Sequence, residues 1–347
     1  MEFARFIAVL GFSVFFASIP IGFFLAVLRW VGLELRVSIW RIMIAVVWGA
    51  AGGVALGLLW ATGLGRPLMT LYSPGERVLV ETVFTVPLAE ELAKAVVFVL
   101  LLRWRRVGTA VLGLLYGVAS GLGFAMTENF AYFLHTYTEA GGQAWFTTVI
   151  IRTFFSGILH AATTGAWGAA LGHAATHPSA KVRRYLPYGG LATALVLHAG
   201  WNLAFVLMGA LGWHTPVGVS FMAVPIVVAV LLYVSALAVG RERRIIRLEL
   251  SAEADQGTLP LDHARIIARL RTRRKAGWLP EGLDHARYVR MALGLALARR
   301  RARCQGRDPD GDSAADVIDL RRRLKELRRS AAGAPPEEQP EVDPGLA

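Results

Sequence analysis

Residues 78 to 102 read VLVETVFTVPLAEELAKAVVFVLLL, a run of 25 residues whose charges are Glu81, Glu90, Glu91 and Lys94 alone. About 20 apolar residues of helix cross a bilayer core about 30 Å thick, so this run predicts a membrane span. Each charge at the centre of such a helix costs on the order of 2.5 to 3.5 kcal/mol, which makes a central Glu-Glu-x-x-Lys group a functional signal.

Six further stretches have the same apolar length, at roughly 3–28, 39–64, 107–134, 145–172, 186–211 and 217–240. The fold expected is therefore all-α: a polytopic bundle of about seven transmembrane helices in the cell membrane. Composition agrees, since 55% of the 347 residues are hydrophobic, 18% are charged and the mean hydropathy is positive. A water-soluble globule is excluded. The net charge of +12 divides evenly, +6 on each side of residue 240, although 23 of the 37 Lys and Arg and 17 of the 25 Asp and Glu lie beyond it. Basic residues beside apolar spans set topology and touch anionic lipid, so nucleic acid is not the expected partner.

Lys and Arg in alternate connections number 13 on one side (Arg29, Arg36, Arg41; Arg103, Arg105, Arg106; Lys181, Arg183, Arg184; Arg241, Arg243, Arg244, Arg247) against Arg5, Arg66 and Arg77 on the other. The basic side faces the cytoplasm, which places the N-terminus outside and the tail inside. Three regions follow: a membrane domain over 1–240, a basic helical tail over 241–330, and a Pro- and Glu-rich disordered C-terminus over 331–347.

Other polar residues inside the spans are Glu128, Arg152, His160, His198 and Asn202. At about 1.5 Å of rise per residue from the outer mouth, Glu91 and His198 lie about 20 Å deep, His160 about 22 Å, Asn202 about 14 Å and Glu128 about 9 Å. Several helices thus bring Glu, His and His to one level, with Glu91 expected to face the site and Glu90 to neutralise Lys94. Arg152 is expected to snorkel to the interface, and His135, His173, His177 and His214 are read as interfacial.

His with carboxylate is a ligand set for catalytic zinc, which keeps one position for water. The same residues permit a metal-free route, with a buried Glu activating water and His198 and Asn202, one helical turn apart, stabilising the oxyanion. The first aspartate is Asp255, so an intramembrane aspartyl dyad is excluded. His-Glu-x-x-His is missing, Ser120 lacks the Gly-x-Ser-Gly of rhomboids because Val118 stands at the first Gly, and the last span has no lysine for a retinal Schiff base. A channel or transporter using the Glu and His as an ion relay is the alternative, and it lacks the internal symmetry expected between halves. A scaffold subunit would keep the cluster as structural glue.

Glu90-Glu91-Leu92-Ala93-Lys94 resembles the E-E-x-x-K motif of PrsW family intramembrane proteases, and Phe124 to Asn129 resembles their F-x-x-x-E-N block. His160 and the stretch His198-Ala199-Gly200-Trp201-Asn202 are similar to the two later histidine motifs. The resemblance covers roughly residues 78–210 and implies a relationship to CAAX prenyl proteases and proteolysis within the membrane. It implies Glu90 and Glu91 as catalytic acids, Glu128, His160 and His198 as partners or metal ligands with zinc the candidate ion, Asn202 as a further catalytic residue, and Lys94 as charge neutraliser. It also implies a single-pass membrane protein as substrate, anti-sigma factors among them.

In the tail, Gly257-Thr258-Leu259-Pro260-Leu261-Asp262-His263-Ala264-Arg265 returns as Gly277-Trp278-Leu279-Pro280 and, two residues on, Leu283-Asp284-His285-Ala286-Arg287. Asp262 and Asp284 are expected to cap the helices that follow. Period-3.6 apolar residues (Ile266, Ile267 and Leu270; Val317, Leu320, Leu324 and Leu327) predict short helices, with Arg299–Arg303 and Arg321–Arg323 on solvated faces beside anionic lipid. The lone cysteine, Cys304, rules out a disulfide within the chain.

Overall fold

The computed structural model describes residues 2–31, 38–103, 108–210, 216–269, 272–275 and 277–332. Arg36, Arg105, Arg106, His214 and Leu270, and the expected disorder from 333 onward, lie outside them. Among the described residues the chain is helical and no strand occurs. The elements are α1 (Glu2–Val31), α2 (Ile39–Val47), α3 (Val54–Trp60), α4 (Arg66–Met69), α5 (Pro74–Val80), α6 (Val86–Arg103), α7 (Ala110–Ile151), α8 (Gly157–Ala175), α9 (Ala180–Ala210), α10 (Pro216–Asp255), α11 (Leu261–Ile267), α12 (His285–Cys304) and α13 (Ala315–Ala331). The chain divides into two compact units, the first running to Glu242 and the second beginning at Arg243.

Among the described residues, four helical stretches are long and apolar enough to cross a membrane: Phe3–Trp30, Ile39–Met69, Ala110–Ala175 and Ala180–Leu207. The third holds two of the expected spans, because α7 and α8 run on as one 66-residue helical stretch through a break at Gly141, where φ is +77°. α6 falls outside this group because Glu90, Glu91 and Lys94 interrupt its apolar run. Large apolar side chains such as Phe12, Phe15, Phe23, Leu58, Leu59, Phe84 and Val196 are exposed on the outside of the first unit. That is the arrangement required of a surface solvated by lipid.

The core of the first unit is the antiparallel pair α7 and α8. A Cβ on Gly113, Gly117 or Gly121 would lie 1.8, 2.3 and 2.2 Å from the carbonyl oxygens of Gly168, Thr164 and His160. A side chain at any of these positions is impossible at this separation, so the four-residue glycine stripe sets how closely the backbones approach. A second face of α7 packs against α2 and the residues just after it: a Cβ on Gly123 would meet the Val46 carbonyl at 2.1 Å, and one on Gly49 the Ser120 carbonyl at 1.9 Å.

Wide π turns interrupt the helices at Trp48–Gly53, Ala61–Gly65, Glu81–Thr85 and Arg152–Ser156. Such turns disturb backbone pairing, which is costly in hydrocarbon unless side chains compensate. Three of them receive a side-chain donor: Thr127 Oγ1 to the Ala50 carbonyl (2.8 Å), Asn202 Nδ2 to the Thr82 carbonyl (2.8 Å) and Asn129 Nδ2 to the Arg152 carbonyl (3.1 Å).

In the second unit, α11, α12 and α13 pack around Leu250, Ile267, Tyr288, Val289, Leu293, Leu295, Val317 and Leu324. The repeat is only partly symmetrical: Asp284 caps α12 by accepting from the Arg287 N–H, whereas the N-cap of α11 is Pro260 and Asp262 lies inside its first turn. Histidines from both copies flank one indole, His263 and His285 each packing edge-on to Trp278. Arg299, expected on a solvated face, is buried and bonded to Glu253 and Asp310, and Arg321 binds the same two carboxylates. Burial of Glu249 and Glu253 on α10 demands counter-charge, and these arginines supply it.

Candidate active site

Glu91 is fully buried on α6, and donors surround its carboxylate: Lys94 Nζ at 2.9 Å and Thr163 Oγ1 at 3.0 Å to Oε1, and Thr164 Oγ1 at 2.9 Å to Oε2. His198 Nδ1 adds a contact of 3.0 Å to Oε1. Glu90, one residue earlier and so about 100° round the helix, instead lines a cavity of about 450 Å³. The expected facing of the pair is thereby reversed: Glu90 meets the open space and Glu91 organises what stands behind it. The reason lies on α8, where Thr163 and Thr164 follow His160 by one turn in a stretch of Gly and Ala. Those adjacent hydroxyls were the overlooked signal for the partner of Glu91.

Lys94 is also fully buried, and its three ammonium hydrogens meet three acceptors: Glu91 Oε1, Glu90 Oε2 at 3.2 Å and His160 Nδ1 at 2.9 Å. The ammonium lies over the Phe124 ring at 4.2 Å. Its single positive charge is therefore shared between the two carboxylates, and it fixes the imidazole as well. An accepting Nδ1 leaves the hydrogen of His160 on Nε2, which stands 2.9 Å from Glu128 Oε2.

The depth count separated Glu128 from His160 by about 13 Å, yet they touch. α7 continues beyond residue 134 towards Gly141, so Glu128 is deeper than its distance from the expected mouth implied. Side chains lean towards the N-terminus of their helix. In an antiparallel pair Glu128 and His160 therefore lean towards each other.

Arg152 does not snorkel. Its guanidinium bonds Glu128 Oε1 at 3.0 Å and Asn129 Oδ1 at 2.9 Å and stacks on Tyr132 at 3.7 Å, and it lines the cavity. Sequence reasoning placed this residue at the interface because its partners lie 20 to 24 residues earlier, on the other side of the break at Gly141. Asn202, His198 and His160 line the cavity too, with the two imidazoles edge to face at 5.2 Å. Ser120 spends its buried hydroxyl on the Lys94 carbonyl.

Donor atoms of Glu90, His160 and His198 all lie within 4.8 Å of one another, a spacing that suits a metal ion. Glu90 stands in this group where the sequence reading put Glu128, which is engaged with Arg152. The donor chemistry fits at His198, whose Nδ1 is oriented by a carboxylate and whose Nε2 faces Glu90 at 3.8 Å. Glu128 Oε2, buried and without an aligned hydrogen bond, is a further oxygen beside the group. His160 fits on one condition, that its Nε2 gives up the hydrogen imposed by Lys94.

The first unit is thus an all-helical, membrane-spanning body whose Glu and His centre lines a cavity. The model of the PrsW family intramembrane metalloproteases matches residues 37–234, more than half of the chain, and the chain belongs to that family. Neither the curated proteins nor the solved structures yield a match.

Proposed function

We propose that this chain is an intramembrane endopeptidase that crosses the cell membrane seven times, with its N-terminus outside, and hydrolyses peptide bonds of single-pass membrane proteins. Anti-sigma factors are the substrate class for which the family resemblance argues, and anionic lipid at the cytoplasmic face is the partner of the basic residues 241–247. The observation that carries the activity is the opening of Glu90, His160, His198 and Asn202 onto one cavity of about 450 Å³.

Glu90 is the general base. Glu90 Oε2 and His198 Nε2 are 3.8 Å apart, a gap that one water bridges by donating to both. Its lone pair then attacks the scissile carbonyl while Glu90 takes the proton and later passes it to the leaving amide nitrogen. Asn202 uses one amide hydrogen on Thr82 and offers the other to the developing oxyanion, and the Arg152 guanidinium adds positive charge. Glu91 aims His198, Lys94 bonds both of the paired carboxylates, and Glu128 holds His160. In the alternative route zinc would be held by Glu90, His160 and His198 and would lower the pKa of a bound water and polarise the carbonyl, with Glu90 then serving as ligand instead of base.

The test compares membrane proteomes of cells carrying the wild-type chain, Glu90→Gln and His198→Ala at matched expression. A single-pass protein that accumulates uncut with both variants supports the reading. Unchanged cleavage patterns with folded variants overturn it and favour an ion relay.

A further inference from the structure

A second cavity, of about 260 Å³, adjoins the first, and Glu90, Glu128 and Val86 line both. The two carboxylates are thus the boundary between a polar chamber and a mainly apolar one, walled by Val54, Gly57, Leu58, Trp60, Val86 and Phe124 with Glu81, Thr85 and Thr127 at places on its lining. Trp60 Nε1 on this wall is buried without a hydrogen-bond partner. The cavity opens outward beside exposed Leu58, its inner apolar walls lack dispersion partners until something fills it, and a buried indole N–H without an acceptor costs about 1 to 3 kcal/mol. Both costs are removed by an occupant that brings apolar carbon and a carbonyl oxygen, which is what a peptide segment offers.

We propose that this second cavity is a specificity subsite that receives an apolar side chain of the substrate residue flanking the scissile bond. The inference rests on the peptidase reading above and deepens it. A carbonyl placed at Glu90 has its neighbouring Cα atoms within about 3.8 Å of one another along the chain, so an adjacent side chain has to enter one of the two chambers. The apolar chamber rejects polar side chains, whose unpaired burial costs about 2 to 7 kcal/mol, and accepts the aliphatic or aromatic residues of a membrane-spanning substrate. Gly57 sets its depth. A Cβ there would first meet Phe124 Cε2, at 4.0 Å, so a larger residue at 57 projects into space that the substrate would otherwise use.

The experiment incubates the purified full chain in detergent with a proteome-derived peptide mixture and maps the cuts by mass spectrometry. The wild type is expected to favour Leu, Ile, Met or Phe on one side of the cut. Gly57→Ala, whose added methyl sits at an ordinary contact distance, lowers the ratio of cuts at Phe to cuts at Ala several-fold, and Gly57→Leu lowers it by about tenfold or more. A flat preference in the wild type, or a ratio unchanged by folded Gly57→Ala, overturns the subsite and is the result expected if a lipid chain fills the cavity. Absence of any cut above a Glu90→Gln control overturns the peptidase reading, a distinct outcome.

Discussion

His198 Nδ1 stands 3.0 Å from Glu91 Oε1, and the same imidazole presents Nε2 to Glu90 Oε2 at 3.8 Å. One histidine thus joins a carboxylate sealed inside the bundle to a carboxylate that faces the cavity. Adjacent acids on α6 acquire different roles because a helix turns about 100° between them.

That division separates two substitutions. Glu90→Gln is expected to abolish turnover and leave the unfolding midpoint in detergent close to wild type. Glu91→Gln leaves buried Lys94 with less counter-charge and misorients His198, so it is expected to lower stability by about 3 to 5 kcal/mol as well as activity. Equal loss of stability in both variants would contradict the assignment.

The glycine stripe gives a second contrast. Gly121→Ala drives a methyl into the His160 carbonyl, so α7 and α8 have to separate, at about 1 to 3 kcal/mol. Because His160 moves with α8, activity falls as well. Gly189→Ala has nothing within 4 Å and is expected to gain about 1 kcal/mol or less from helix propensity. Melting curves in detergent measure both.

Arg152 and Glu128 act as a pair. Arg152→Met and Glu128→Gln, each harmful singly, are expected to be less than additive when combined, with a coupling of about 0.5 to 3 kcal/mol in a double-mutant cycle. Full additivity would show that the 3.0 Å contact carries no coupling.

Zinc binding tests the ligand set. Retention of zinc is expected to fail in Glu90→Gln and His198→Ala and to persist in Glu128→Gln, as measured by metal content after desalting. The reverse pattern would restore Glu128 as the ligand.

The second unit carries an acid sensitivity. The hydrogen bond from Arg299 holds the Asp310 carboxyl down at about 2, and Glu253 is lowered too, since bonds from Arg321 and Thr258 outweigh the upward push of its burial. Both folded-state values lie below the ordinary carboxylate value of about 4, so their stabilisation is complete above about pH 4 and is lost as pH falls towards 2. Hydrogen exchange of the full chain, corrected for intrinsic rates, is expected to show α12 and α13 losing protection over that window. Arg299→Met removes the bond and flattens the dependence.

The sequence by itself determined the helical class, the burden of charge inside α6, and the identity of Glu90, Glu91, Glu128, His160, His198 and Asn202 as residues of interest. Apolar run length and the cost of charge in hydrocarbon are local properties, readable without a partner. Only the tertiary structure decided which of Glu90 and Glu91 faces the cavity, that Glu128 reaches His160, that Arg152 is inside the site, and that Arg299 is buried. These depend on which helix packs against which and at what separation. The Gly113, Gly117 and Gly121 stripe sets that separation for α7 and α8, but it names its partner only when the carbonyls of α8 lie against it.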